Sequence, residues 1–356
     1  MTAVLRPPGA RLFSVMLATA LPSSARGLSL ATSTHKPPHV ELRDDGRVFV
    51  SGRPLRLSAS AVAAWRQCPL LFKRRYIEQV PEPVTEAMTA GILVHESLAD
   101  LYERAPETRT LESLKSHFRA AWGRIRLTPK YRPLFFPADE GTPRNQEDEA
   151  RERAWGLKAF RAFETYLKME EPERLQPLAC EERVLHTLDD ALGLDVVGVI
   201  DRLDDAASGE EGGGGGTGTG TGLVITDYKT GKSPSTKYSP RVNARIQQEA
   251  FFQLQVYALL LRETGRTPYE LRLLFLGDGV TLAQQATAEG MDEAERVLRE
   301  TWQQIVAALR EDTRNSQAFP PLTGPLCGWC AHQDTCPSFA PSEAAAADGD
   351  APPKAR

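Results

Sequence analysis

Short apolar, β-branched runs that end in charge mark the middle of this chain. Val196-Val197-Gly198-Val199-Ile200 runs into Asp201-Arg202, and Leu223-Val224-Ile225 runs into Thr226-Asp227-Tyr228-Lys229. Runs of this length and composition predict buried strands whose charged ends fall at the rim of a sheet. Side chains alternate along a strand, so Asp227 and Lys229 share one face and Tyr228 takes the other. Leu178 to Leu188 and Leu192 to Leu203 pattern as an antiparallel pair joined around Asp189-Asp190. Tyr269 to Leu276 and Val280 to Ala286 pattern as a hairpin about Gly277-Asp278-Gly279, and a shorter strand pair is expected in Val40 to Leu57.

Elsewhere the period is helical. Ser58 is placed to cap a helix bearing Val62, Trp65 and Arg66, which Pro69 breaks directly after Cys68; Leu70 to Val80 then resumes with Lys73-Arg74-Arg75. Gly91 is expected to open a helix on which His95, Leu98, Ala99 and Tyr102 share a face, the glycine letting its start approach a neighbour. That spacing puts the imidazole on the buried side. Leu111 to Trp122 and Glu147 to Met169 read as amphipathic helices around a Pro-, Arg- and Gly-rich loop, with Trp155, Phe163 and Tyr166 apolar-side. They suggest a helical insertion, about 106–170, covering one side of the site. Arg245 to Thr264 is a long helix closed by Gly265, and a last amphipathic helix carries Leu298, Trp302, Ile305 and Leu309.

Composition changes the picture at the two ends. The chain has 356 residues and a net charge of -4, enough for a sizeable core and no advertisement of a nucleic-acid partner. Net charge ignores distribution, however, and Lys73-Arg74-Arg75 and the set Lys229, Lys232, Lys237, Arg241 and Arg245 are candidate phosphate contacts. Residues 1–40 combine Arg, Ser, Thr and Ala with no acid before Glu41, the composition of a targeting peptide for a plastid or mitochondrion. The folded domain is expected at 41–337, with a flexible Gly-rich extension at 206–222 and a disordered tail at 338–356. No stretch is long and apolar enough for a membrane span.

One carboxylate from each central strand plus one ammonium is a recipe for a divalent cation and an activated water. Mg2+ and Mn2+ prefer oxygen ligands, and Lys229 would orient the water or offset charge on a phosphate. Thr230-Gly231-Lys232-Ser233 is no phosphate loop, because the glycine that pattern needs five residues earlier is Thr226. Of five cysteines, Cys327, Cys330 and Cys336 form a ligand cluster rather than a disulfide framework. The fourth ligand is Cys68 if the two ends of the fold meet, or His332 in a zinc site; an iron-sulfur cluster and Zn2+ both remain open on spacing alone. Cys180, in a predicted strand, is a bystander.

Several stretches together look familiar. Gly-Val-Ile-Asp-Arg-Leu-Asp (198–204), Asp-Tyr-Lys-Thr-Gly-Lys (227–232), Gly-x-x-x-His (91–95), Gln-x-x-x-Tyr (253–257) and Ser-x-Ser-x4-Trp-x-x-Cys-Pro (58–69) stand in an order resembling the RecB-like branch of the PD-(D/E)XK nuclease superfamily. Cys-x2-Cys-x5-Cys-Pro (327–337) resembles its members with an iron-sulfur cluster. The resemblance implies an α/β, restriction-endonuclease-like fold, a mixed central sheet flanked by helices. It implies that His95, Asp201, Asp227 and the carbonyl of Tyr228 hold Mg2+ or Mn2+, with Lys229 positioning the water and Gln253 or Gln255 and Tyr257 meeting substrate or supporting the site. Glu181 or Glu182 could add a carboxylate. It further implies a 4Fe-4S cluster on Cys68, Cys327, Cys330 and Cys336, and an exonuclease for single-stranded DNA ends whose helicase, if any, is another chain. The alternatives are a non-catalytic DNA-binding scaffold on the same fold and a zinc-ribbon nuclease.

Overall fold

The computed structural model describes residues 38–137, 142–206, 222–234, 239–312 and 317–339. All but the last three residues of the expected targeting segment, nearly all of the Gly-rich stretch and most of the tail lie outside the described residues.

A five-stranded sheet organises the rest. Its order is β4 (Ala179–Asp189), β5 (Leu194–Asp205), β6 (Leu223–Lys229), β7 (Pro268–Phe275) and β8 (Val280–Gln285), antiparallel throughout except for the parallel pair β6 and β7. Parallel neighbours need a crossover, and α6 (Pro240–Glu263) supplies it. Being central, β6 is covered on both faces. On one, Ile225 and Leu273 pack with α1 (Ala59–Gln67), α6 and α7 (Ala288–Asp312), whose Trp302 is wholly buried. On the other, Tyr228 and Leu274 pack with α3 (Glu86–Tyr102), α4 (Leu111–Ile125) and α5 (Gln146–Met169). Each such buried side chain contributes roughly 1.5–3 kcal/mol. The architecture is a mixed α/β sheet between helical layers, as the resemblance implied, and Trp155, Phe163 and Tyr166 are core residues of the insertion.

Two helices start earlier than their apolar period suggests. α3 begins at Glu86, where the Thr85 hydroxyl accepts the Met88 N–H at 3.1 Å, so Gly91 sits in the second turn rather than at the start. A Cβ on Gly91 would lie 3.6 Å from Thr230 Oγ1, ordinary contact, so close approach is not what this glycine provides. α6 begins at Pro240, with Ser239 as cap. Both starts are marked by a hydroxyl cap, Thr85 and Ser239, rather than by apolar rhythm.

The N-terminal part opens with a small sheet of β1 (Val40–Leu42), β2 (Val48–Val50) and β3 (Arg53–Pro54). Ser58 caps α1 as predicted, accepting the Ala61 N–H at 3.2 Å. Past Cys68, the short α2 (Pro69–Phe72) leads into a π-helical turn at Lys73–Ile77. The three basic residues expected on a phosphate are turned to another use. Lys73 pairs with Asp312 at 2.6 Å, Arg74 donates to the carbonyls of His332 (2.9 Å) and Thr335 (2.6 Å), and Arg75 shares Glu82 with His332. Lys73 ties the end of α7 to the start of the fold, and Arg74 with the Arg75–Glu82–His332 set clasps the cysteine-bearing segment, 317–339, there. Burial opposes ionising Glu82, but hydrogen bonds from His332 and Arg75 outweigh it and hold the carboxyl down at about 2. Among the described residues no helix is long and apolar enough to cross a membrane.

Candidate metal centre and active site

The regular ladder between β5 and β6 ends at Arg202 opposite Thr226, which leaves Asp201 and Asp227 as the next residues on the two strands. Asp201 Oδ2 accepts the Tyr228 N–H there at 2.8 Å. α3 delivers His95, with Nδ1 3.3 Å from the same Asp201 oxygen. β4 delivers Glu181, whose backbone is left-handed (φ 51°) and which offers an oxygen within 4.8 Å of ligand atoms of both His95 and Asp201. A non-glycine residue held at positive φ carries local backbone strain, and such residues concentrate at functional sites. Glu182 instead pairs with Arg266 at 2.6 Å, which resolves the choice between the two glutamates.

Lys229 Nζ lies 2.8 Å from Asp227 Oδ2 and donates to Gln253 Oε1 at 3.1 Å, while Gln253 Nε2 donates to the Tyr257 hydroxyl at 2.6 Å. The four-residue spacing on α6 therefore makes one connected row. Gly198 is what lets α6 come so close: a Cβ there would fall 2.5 Å from the Tyr257 ring. The structure thus brings ligand atoms of His95, Glu181 and Asp201 within 4.8 Å of one another, while Asp227, at the neighbouring strand position and outside that group, heads the row through Lys229, Gln253 and Tyr257. Gln255 faces elsewhere, lining a cleft with Leu271, Gln284 and Met291. Lys232 and Arg241 are exposed, Arg245 pairs with Glu249 at 2.8 Å, and Lys237 lies outside the described residues. The Tyr228 side chain points away from the carboxylates, as alternation predicts.

The electrostatics suit a divalent cation. Asp227 is wholly buried, and neither carboxylate oxygen accepts a hydrogen bond; the Lys229 ammonium is near but off the hydrogen-bonding direction. His95 Nε2 is likewise buried without a partner. Burial drives the Asp227 carboxyl up to about 6, with Lys229 opposing and Asp201 adding to the rise. For His95 burial disfavours the charged ring, but the Asp201 carboxylate outweighs it and raises the imidazole to about 9. Oxygen-rich ligands with one imidazole fit Mg2+ or Mn2+.

A pH dependence follows. His95 is raised above its ordinary 6.5, so its proton stabilises the cation-free fold fully below that value, and the contribution is lost as pH climbs through about 9. Asp227 is raised above 3.8, so the fold is penalised for ionising it, a penalty that develops as pH rises to about 6. Ligands must be deprotonated to bind, so the cation displaces fewer protons as pH rises. The increase in Tm on adding Mg2+ should therefore grow between pH 6 and pH 9, read by thermal unfolding; an increment that shrinks with pH would contradict this account.

Two of the thiols reach the backbone of Leu322 from opposite ends of the chain. Cys68 Sγ accepts the Leu322 N–H at 3.4 Å, and Cys327 Sγ accepts the Gly324 N–H at 3.3 Å and lies 3.9 Å from the Leu322 carbonyl oxygen. Among the described residues no three of the thiols have sulfurs mutually within 4.8 Å. His332 is buried with Nε2 2.9 Å from Glu82, occupied by the clasp. Cys180 is half-buried on β4, and burial pushes its thiol up to about 12.

A mixed sheet presenting two acids and a lysine on neighbouring strands, with a histidine from a flanking helix, is an arrangement suited to binding a divalent cation beside a phosphate. The sequence profile of the PD-(D/E)XK nuclease superfamily matches residues 56–337, and the chain belongs to that superfamily, whose members are nucleases. A solved structure described as the crystal structure of SSO0001 is similar at 14% identity, covering 71% of this chain and 95% of that one, with a TM-score of 0.28. No curated protein matches the chain.

Proposed function

We propose that the protein is a RecB-like exonuclease that shortens single-stranded DNA ends with Mg2+ or Mn2+. The observation that carries the hydrolytic reading is Asp227, fully buried with neither oxygen hydrogen-bonded, 2.8 Å from the Lys229 ammonium and at the strand position beside Asp201. His95, Asp201, Asp227, Glu181 and the Tyr228 carbonyl would hold the cation, which when bound polarises the scissile phosphate and acidifies a water. Lys229 donates to Gln253 and has ammonium hydrogens to spare, one of which it directs to the attacking water or a phosphate oxygen. Gln253 and Tyr257 keep the amine in place. The water oxygen bonds to phosphorus, the P–O bond to the leaving nucleotide breaks, and the departing oxygen takes up a proton.

The insertion supports a single strand as substrate. α3, which carries His95, packs with α4 and α5 into one lobe beside the strand ends, so a substrate reaches the carboxylates past that lobe. Lacking a phosphate loop, the enzyme would take any unwinding activity from another chain, and the basic, acid-free start of the sequence supports delivery to an organelle for genome maintenance or repair. Cys68, Cys327, Cys330 and Cys336 would hold a 4Fe-4S cluster as a structural staple. The test is degradation of end-labelled single-stranded DNA with Mg2+. Lys229→Ala should cut the rate by roughly a hundredfold or more while the fold persists, and equal rates in the variant and the wild type would remove the mechanism.

A further inference from the structure

Directly behind the metal centre lies a polar network that the mechanism above does not use. The Arg202 guanidinium, 1% exposed, sits at its middle. Nε donates to Asp204 Oδ2 at 2.8 Å and Nη2 to Glu170 Oε1 at 3.0 Å. Nη1 faces Glu170 Oε2 and the hydroxyls of Tyr166 (3.0 Å), Tyr228 (3.1 Å) and Tyr102 (3.3 Å). With two hydrogens for four oxygens, Nη1 shares them. Tyr102 comes from the end of α3, Tyr166 from α5, Glu170 from just beyond α5, and Tyr228 from β6.

The arrangement reaches the site by two routes. Arg202 directly follows Asp201 on β5, at the last regular pairing with β6. Tyr228 separates Asp227 from Lys229, and its N–H is the one that Asp201 accepts. Its ring meets His95 edge-on with centroids 5.8 Å apart and Tyr166 edge-on at 5.6 Å. A shift of Tyr228 would move the main chain between Asp227 and Lys229 and the packing of His95 together. A buried ion pair is by itself weak evidence of stabilisation, so its position matters more than its existence.

We infer that Arg202 is a positioning residue for the metal centre, which, by fixing Tyr228 against β5 and α5, sets how well Asp201, Asp227 and His95 converge on one cation. The inference rests on the proposed cation site and deepens it. Outer-shell partners of this kind commonly change metal affinity by 10–100-fold.

The test is Mn2+ binding to the full chain, measured by calorimetry without DNA. Arg202→Met should weaken binding by roughly tenfold or more, Arg202→Lys less, and Tyr228→Phe by severalfold, since it removes one link while sparing the main chain. Trp122→Phe, in the core of the insertion, is the structural control: it should lower Tm without changing Mn2+ affinity. Wild-type affinity in folded Arg202→Met would overturn the inference. Should that variant fail to fold with Glu170 and Asp204 left unpaired, wild-type affinity in both Arg202→Lys and Tyr228→Phe would overturn it equally, and so would equal weakening in Trp122→Phe. A wild-type chain that binds no Mn2+ would instead overturn the proposed cation site itself.

Discussion

Asp227→Asn should abolish Mg2+-dependent cleavage, by about a thousandfold or more, while making the cation-free protein more resistant to heat at pH 8. The first effect follows from removing an anionic oxygen where positive charge must be held. The second follows from Asp227 being buried without a hydrogen bond to either oxygen, its carboxyl raised to about 6 mainly by desolvation. At pH 8 the native fold bears the cost of ionising it, and the neutral amide avoids that cost. An increase in Tm of about 2 °C is expected, the shift that a gain of about 1 kcal/mol produces in a domain of this size. At pH 5 the native carboxyl is protonated and the advantage should vanish, while the shift in Tm produced by Mg2+ should disappear from the variant at every pH. A cation-free Asn variant less stable than wild type at pH 8 would show that the native site is not waiting for positive charge.

Cys68→Ser should have the second-largest effect, and at a distance from the reaction. Cys68 and Cys327 are brought together across about 260 residues of chain, and linking points so far apart removes much denatured-state freedom, about 5 kcal/mol by the loop-closure relation used for disulfides. The clasp of Arg74, Glu82 and His332 retains part of the arrangement without a cluster. Anaerobically purified wild type should carry about four iron atoms per chain, and the variant should lose the iron. Its Tm should fall by more than about 5 °C, and proteases should cut within 317–339. A zinc-loaded, colourless wild type would replace the iron-sulfur proposal with the zinc one, and a variant with full iron would exclude Cys68 as a ligand.

Much of this could be read from residue order because it rests on local rules. The apolar runs ending at Asp201 and Asp227 are strands, and alternation placed Asp227 and Lys229 opposite Tyr228 correctly. Four-residue spacing singled out Gln253 with Tyr257 over Gln255. What stayed hidden depended on long-range partners. Lys73-Arg74-Arg75 looks like a phosphate patch until the segment some 260 residues later folds onto it. Strict alternation would put Arg202 on the face of Gly198, which meets Tyr257 on α6; instead Arg202 joins the tyrosines of the opposite layer. The left-handed Glu181 lies in β4 between Cys180 and Glu182, which pair with Arg202 and Ile200 and so bracket Asp201. Nothing in the order Glu181-Glu182 announces that backbone, so the choice between two adjacent acids required coordinates.

The clasp between the two ends of the domain has a consequence for biosynthesis. Every residue of the metal centre, from His95 to Tyr257, leaves the ribosome before Cys327 does. The sheet and its carboxylates can therefore assemble on the emerging chain with the thiol of Cys68 still waiting for its partners. With the proposed iron-sulfur cluster, iron delivery would be the last event of maturation, and a cell short of iron would accumulate a folded nuclease core with a loose end.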